Sequence, residues 1–273
     1  MLSIQLETAV AAATIGADVV IERTVDMGAI QSKSSPTDLV TEVDVAAGVA
    51  VVRAILAADP SAHMVVEEDE VYEITGASPG DLTDDEVWLI DPIDGTTSFV
   101  HGYPSYSVSV ALLHSGRPVA GVVVDVPNRA VMCAAQGLGT TLDGRRVQCS
   151  ITPDLGTALL ITGFPYDRGR PLDRQLAVLA AFLRAPVHGI RRDGSAALDC
   201  CHVAAGRADG FWEYGLQPWD TAAGVIICQE AGARVTDIEG RDWEPASDAG
   251  IIVANPALHE HMLQLISHVT ETF

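Results

Sequence analysis

The chain has 273 residues, 48% of them hydrophobic, with 37 acidic against 16 basic side chains and a net charge of −21. That length can bury a large core, as one unit or two packed halves, and that charge argues against nucleic-acid binding driven by phosphate contacts. The only lysine is Lys33, a compact point charge that arginine does not always replace. Five cysteines (Cys133, Cys149, Cys200, Cys201 and Cys228) match no zinc or disulfide spacing and read as buried free thiols. Residues 1–22 contain acids and lack a basic leading segment, so no secretory signal is read. No apolar run is read as long enough to span a membrane. A cytoplasmic protein with no membrane or nucleic-acid partner is expected.

Apolar residues at helical spacing, with many alanines, predict a helix over about 4–22. Residues 31–40 read as a loop. Thr41 as N-cap and Asp44 in the first turn open a second helix, about 42–58. His63 to Val66 reads as a short strand running into the acids Glu67, Glu68, Asp69 and Glu70, and residues 74–85 as a surface loop. Val87 to Ile90 reads as a buried strand delivering Asp91-Pro92-Ile93-Asp94-Gly95-Thr96-Thr97. Strands follow at 106–113, 119–126 and 130–134, with turns at Ser115-Gly116 and Pro127-Asn128. Asp143-Gly144 marks a further hairpin. Beyond residue 150 strands and helices alternate: a strand at 158–162, a helix near 172–184, a strand near Val187, a helix from Ser195, a strand at 210–214 and a helix from Trp219. Residues 1–150 therefore read as an α+β half and 151–273 as an α/β half, packed as one body.

The run Asp91–Thr97 carries the most information. Two carboxylates three residues apart in a Pro/Gly turn, followed by two hydroxyls, make the oxygen set that hard divalent cations take. Gly95 lets backbone N–H groups approach an anion, so the turn reads as a metal-plus-phosphate site. Asp220, within Gln217–Gly224, reads alone as a dipole-stabilised helix start; beside Asp91 and Asp94 it becomes a third carboxylate from the other half. Glu67 and Glu68 end a strand, where carboxylates converge in crevices. Between residues 33 and 44, a loop leading to a capped helix accounts for Thr41 and Asp38. Lys33 and Asp44 remain, as candidates for charge stabilisation and for orienting a water. The eight histidines show no metal spacing, and His101 reads as a packing or hydrogen-bonding residue. Arg191-Arg192 reads as a surface pair able to reach a second phosphate, and Trp212, Tyr214 and Trp219 as core or pocket wall.

Taken in order, these pieces resemble the inositol monophosphatase family, within the lithium-sensitive, magnesium-dependent phosphatases, over about Lys33 to Gly240. The DPIDGTT run at 91–97 and the WDTAAG run at 219–224 carry the resemblance. Phe99–Gly102, Gly163–Asp167, Gly194–Ala197 and Gly206–Asp209 support it. The chain departs from the family at Val66, where Gly is usual, at Ser98, where Asn is common, and at Pro218 before the Trp.

The resemblance implies an α+β / α/β fold, the layered αβαβα sandwich of the inositol monophosphatase and fructose-1,6-bisphosphatase type. It implies a phosphomonoesterase using two or three Mg²⁺ ions, with Mn²⁺ as a substitute. Asp91 would bridge two ions, Glu68 and the Ile93 carbonyl completing one site and Asp94 with Asp220 the other; a third ion would lie near Glu68. Thr96, aided by Asp44 or Glu68, would orient the attacking water, with Lys33 stabilising charge. Backbone N–H groups of Gly95 and Thr96 would hold the phosphate. Gly194, Ser195, Ala196 and Glu213 would line the alcohol side, completing a substrate set with Glu68, Ile93, Asp94 and Asp220. A small polyol phosphate, inositol 1-phosphate first, is the implied substrate, a homodimer the implied assembly, and lithium an implied inhibitor. Fructose 1,6-bisphosphate, histidinol phosphate or a nucleotide 3′-phosphate would keep the chemistry and change the leaving group, as decided by loops near 166–174 and 188–193. A regulatory protein acting with the transcription machinery is the reading from another class.

Overall fold

Two sheets carry the chain, one built before residue 150 and one after it. The structure, a computed structural model, describes residues 2–24, 28–33, 39–247 and 249–270. In chain order the elements are α1 (Leu2–Glu22), β1 (Ile30–Ser32), β2 (Leu39–Thr41), α2 (Glu42–Ala58), β3 (His63–Val66), α3 (Glu70–Thr75), β4 (Ser78–Pro79), β5 (Glu86–Asp94), α4 (Thr96–Val100), β6 (Ser107–His114), β7 (Arg117–Asp125), β8 (Ala130–Ala135), β9 (Gly139–Leu142) and β10 (Arg145–Arg146). There follow β11 (Leu159–Thr162), α5 (Arg170–Arg184), β12 (Gly189–Arg191), α6 (Ala196–Ala204), β13 (Gly210–Glu213), α7 (Pro218–Glu230), β14 (Arg234–Thr236), β15 (Ile251–Ala254) and α8 (Pro256–Thr270). The first sheet has eight strands in the order β10-β9-β8-β7-β6-β5-β3-β4, the second five in the order β12-β11-β13-β15-β14, and β1 pairs with β2.

Period-2 alternation sorts the apolar side chains into layers. On β5, Trp88 and Ile90 face a core shared with α1 and α2, while Val87 and Leu89 face a core shared with α6, α7 and the second sheet. On the second sheet, Phe211, Ile251 and Val253 point into that shared core. Trp212, Ile252 and Ala254 point the other way, onto α5 and α8. The stack is therefore helix, sheet, helix, sheet, helix, the layered fold of the sequence expectation. Burying each such large apolar side chain contributes about 1.5–3 kcal/mol. The Ala/Gly face of α1 lets it lie close on α2, where a Cβ on Gly16 would stand 2.6 Å from Val51 Cγ2.

Local turn chemistry behaves as read. Ser115-Gly116 and Asp143-Gly144 both take positive φ (50° and 74°, 49° and 75°) between paired strands, the signature of a type I′ hairpin. Other expectations need correction. The flanks of the 31–40 loop pair as β1 and β2, and residues 34–38, Asp38 among them, lie outside the described residues. The loop over 74–85 begins inside α3 and contains β4. The strand expected near Val187 is β12, two residues later, where Gly189–Arg191 aligns with Leu159–Ile161. β14, β15 and α8 were not read at all. Helix α1 also overturns the expectation that no run could span a bilayer: within its 21 residues lies an 18-residue stretch of mean hydropathy 1.5, long and apolar enough to do so. Here six of them, Ala9 to Val20, are buried against α2 and the first sheet.

Candidate active site

Strand β5 bends just where its carboxylates begin. Asp91 pairs with Ser109 and Asp94 with Ser107, so β5 carries one residue more than β6 across this step. The bulge seats Pro92, which cannot donate to a ladder, and points Asp91 and Asp94 toward the end of the strand. The Asp91 carboxylate accepts from the Ile93 N–H at 3.0 Å. Gly95 then turns at φ +95°, where a Cβ would stand 2.9 Å from both Gly194 O and Ser105 O, so only glycine fits. It opens α4, whose first-turn N–H groups have no intrahelical acceptors.

Asp94 ties the two sheets together. Its Oδ2 accepts from the Ser195 hydroxyl at 2.6 Å and the Ala197 N–H at 2.7 Å, at the start of α6, where the helix dipole favours an anion. Ser195 also caps that helix, accepting from Leu198 N–H at 3.3 Å. Asp220 arrives from α7 as its N3 residue, accepting from Gln217 N–H at 2.8 Å.

These groups line one cavity of about 320 Å³ with Glu67, Ile93, Thr96, Gly194, Ala196 and Glu213. The electrostatics are those of carboxylates in excess. Burial first, then Glu67, Asp94 and Asp220, pushes Asp91 well above the usual range. Asp94 rises to about 6, through burial that outweighs its hydrogen bonds from Ser195 and Ala197. Burial, Asp94 and Glu67 push Asp220 well up, and burial with Asp94 lifts Glu213 to about 8. Among the described residues no three His, Cys, Asp or Glu side chains stand close enough to hold an ion as they are; Asp91 and Asp220 each spend an oxygen on a local N–H, and Asp94 one on Ser195 and Ala197. The donor set is still all-oxygen, anionic and short of cations, which suits hard divalent ions.

Beside it lies a second cluster. Thr41 N and Oγ1 donate to Asp44 Oδ2 at 2.9 and 2.5 Å, while the Thr96 hydroxyl lies 3.1 Å from Asp44 Oδ1 and 3.0 Å from Ile93 O. Burial raises Asp44 to about 6. Lys33 bonds Glu67 at 2.7 Å and also Glu68; burial works against its ammonium, but the two glutamates outweigh it and hold its pKa up.

The structure brings together Lys33, Asp44, Asp91, Ile93, Asp94, Gly95, Thr96, Gly194, Ser195, Ala196, Glu213 and Asp220. It differs over the glutamate. Glu67, rather than Glu68, faces the Asp91 turn, because Glu67 N–H donates to Ile90 O at 3.1 Å and so sits level with Asp91 at the strand end. Glu68 turns to Lys33 and is lifted to about 7 by burial. The β3–β5 register, unreadable from one strand alone, was the missing signal. His101 is exposed on the cavity wall, so of the two readings packing does not apply. Trp212 and Tyr214 belong to the third core. Missed altogether were Arg168, joining Arg192 on the wall, and Asp199. Asp199 is buried with neither oxygen hydrogen-bonded among the described residues, and burial, then Glu213 and Asp193, raises its pKa well up.

The same fold and order of residues recur in known proteins. Inositol-1-monophosphatase SuhB of Mycobacterium tuberculosis is 42% identical over 246 residues, 86% of this chain and 80% of the relative. The putative Nus factor SuhB of Neisseria meningitidis is 39% identical over 264 residues, 96% and 97% of the two chains. The solved structure of inositol monophosphatase from Anabaena superposes with a TM-score of 0.86 at 34% identity, covering 98% and 97%. The model of the inositol monophosphatase family matches residues 2–271, and the chain belongs to that family of phosphoric monoester hydrolases.

Proposed function

We propose that the chain is a Mg²⁺-dependent phosphomonoesterase acting on a small polyol phosphate, inositol 1-phosphate being the reading the family carries. The observation that supports it most is the convergence of Asp91, Asp94, Asp220 and Glu67 on one cavity with Glu213 on its far wall. Those four carboxylates and the Ile93 carbonyl would hold two Mg²⁺ ions, with Glu68 near a third. Once bound, the ions would supply charge neutralisation at the phosphoryl oxygens and a more acidic water.

The remaining work falls to the chain itself. Thr96 and Asp44 form a relay: the hydroxyl accepts a hydrogen bond from the attacking water and passes the proton toward Asp44 Oδ1. Lys33 offsets the charge of Glu67 and Glu68 beside that relay. The N–H groups of Gly95 and Thr96 hold the phosphate at the start of α4. Ser195 and the α6 N-terminus fix Asp94. Gly194, Ala196 and Glu213 receive the alcohol.

Lithium inhibition, a cytoplasmic location and a homodimer belong to the same proposal. For the dimer, α5 leaves Leu176 and Leu183 exposed (47% and 62%) and β12 is an open sheet edge; exposed apolar side chains and open edges are natural contacts for a second copy. The name of the Neisseria relative carries a second reading, a factor acting with the transcription machinery. Phosphate release from a panel of esters, with and without Mg²⁺, separates the two. Mg²⁺-dependent turnover supports the enzyme, and a folded, Mg²⁺-binding protein that hydrolyses nothing supports the factor.

A further inference from the structure

We infer that a second cavity, at the far end of α7 from the active site, binds a small zwitterion with an apolar body, an α-amino acid with a large apolar side chain being the simplest such ligand. The inference stands apart from the phosphatase reading and needs no metal.

This cavity measures about 520 Å³, against about 320 Å³ for the active site, and the two share no lining residue. Both meet α7. Asp220 enters the active site as the N3 residue of that helix, while Val225, Ile226 and Gln229 floor the second cavity. At 1.5 Å per residue, Gln229 lies roughly 14 Å further along the axis than Asp220. The floor is firm. A Cβ on Gly121 would stand 2.5 Å from Ile226 Cγ2 and 2.9 Å from the Ala223 backbone, so α7 lies hard against β7. Glu230 fixes the rim, its two oxygens accepting from the Gly137 and Gly139 N–H groups at 2.8 and 2.7 Å.

The walls belong to different sheets and carry opposite charge. Arg117 opens β7 in the first sheet, while Asp242, Trp243 and Glu244 follow β14 of the second. Among the described residues no ion pair joins Arg117 to a carboxylate, and Arg241, next to Asp242, is taken up by Asp237 and Glu239. A ligand of one sign would therefore meet like charge on one wall. A neutral ligand would cover both walls without meeting either charge. A zwitterion meets both: the guanidinium fork takes a carboxylate, and an ammonium falls to the Asp242 and Glu244 carboxylates and the face of Trp243. Between the poles, Val225, Ile226 and Val235 are buried and offer apolar contact. Trp243 is half-buried against the core that the two sheets share, so its ring is held in place before any ligand arrives. The volume falls within the range of ligand pockets, roughly 300–1,000 Å³, whose usual lining is apolar with a few placed polar groups.

The test titrates the full chain calorimetrically with L-phenylalanine, with phenethylamine, which lacks the carboxylate, and with 3-phenylpropionate, which lacks the ammonium. L-Phenylalanine is expected to bind with a Kd of about 1 mM or tighter, and each relative about tenfold more weakly, the scale of one charge-assisted contact. Arg117→Gln should weaken L-phenylalanine by about tenfold and leave phenethylamine as it was. An Asp242→Asn/Glu244→Gln double variant should do the converse, weakening L-phenylalanine and sparing 3-phenylpropionate. All three positions are exposed, so the fold should survive, which a melting curve reads. Arg145→Gln, which removes a charge from exposed β10, should change nothing. No binding of L-phenylalanine, L-leucine or L-tryptophan overturns the inference. So does equal binding of the three phenyl compounds, which would mark a merely apolar pocket, or binding that both variants keep, which would place the ligand elsewhere. A preference for phenethylamine over L-phenylalanine overturns it as well and assigns the cavity to organic cations.

Discussion

The two walls of the cavity are built in different ways. The wall holding Asp91, Ile93, Asp94, Gly95 and Thr96 comes from one bulged strand end and the turn after it. The opposite wall is assembled from the 163–169 loop, Arg192, Gly194, Ala196 and Glu213, which long stretches of chain separate, while Asp220 reaches across from α7 to join the carboxylates of the first. The first wall concentrates charge and reactive hydroxyls; the second carries Phe164, Arg192 and Glu213 around the space for an alcohol. A short bulge fixes geometry tightly at few positions, which suits bond breaking. A composite wall can vary loop by loop without disturbing that geometry, which suits substrate choice. The division predicts that changes on the first wall act on kcat and changes on the second on KM.

The largest effect belongs to Asp91, which faces Glu67, Asp94 and Asp220 together. Asp91→Asn should lower kcat by about a thousandfold, as losing a central electrostatic group does, with the fold retained by circular dichroism. A loss confined to KM would break the proposed division. Next comes Thr96→Ala, which cuts the path to Asp44 Oδ1 and should cost about a hundredfold in kcat, the scale of one proton-transfer element. Steady-state kinetics on the two variants, side by side, read both expectations.

A third effect has the opposite sign for stability. In metal-free protein Asp94 is lifted to about 6, chiefly by burial. A carboxyl whose folded pKa is raised stabilises the fold below its unfolded pKa, near 4, and loses that contribution as pH rises through the folded value. In EDTA, melting temperature should therefore fall between about pH 4 and 6 on this account. Asp94→Asn should raise stability at pH 7.5 by on the order of 2 kcal/mol while lowering activity. A variant less stable than the parent in EDTA at pH 7.5 would falsify the claim that this wall stores the cost of a buried carboxylate.

The same contrast explains what could be read in the sequence. The Asp91–Thr97 wall is local, so spacing, Pro92 and Gly95 announce it, and the continuous apolar run Val87 to Ile90 announces the buried strand that delivers it. Thr41 and Asp44 form the capping box their spacing suggests. Glu68 was read in the place that Glu67 takes on the cavity wall, because the direction of each depends on the parallel register between β3 and β5, set by contacts far away in sequence. Phe164 lay in a run that supported the resemblance and Arg168 in a loop expected to bear on the leaving group, but nothing in a loop's own residues says which wall each side chain will join. β14 and β15 were missed for a related reason: they are short and almost wholly buried, so alternation against solvent is weak there.

The smallest effect sharpens the division most. Glu213 is buried, and burial, its larger cause, lifts it to about 8 independently of any cation near Asp94, the smaller cause. At pH 7 it is therefore a neutral carboxyl, able to donate as well as accept, and glutamine reproduces both functions. Glu213→Gln should change KM by no more than about threefold at pH 7 and leave kcat in place, the scale of one neutral hydrogen bond. Above pH 8 the parental side chain becomes an anion beside an anionic ester, so the parent's KM should climb there while the variant's stays flat. If the two KM profiles rise in parallel, the titrating group lies elsewhere, and the second wall acts through shape and Arg192 instead of through a carboxyl held neutral by burial.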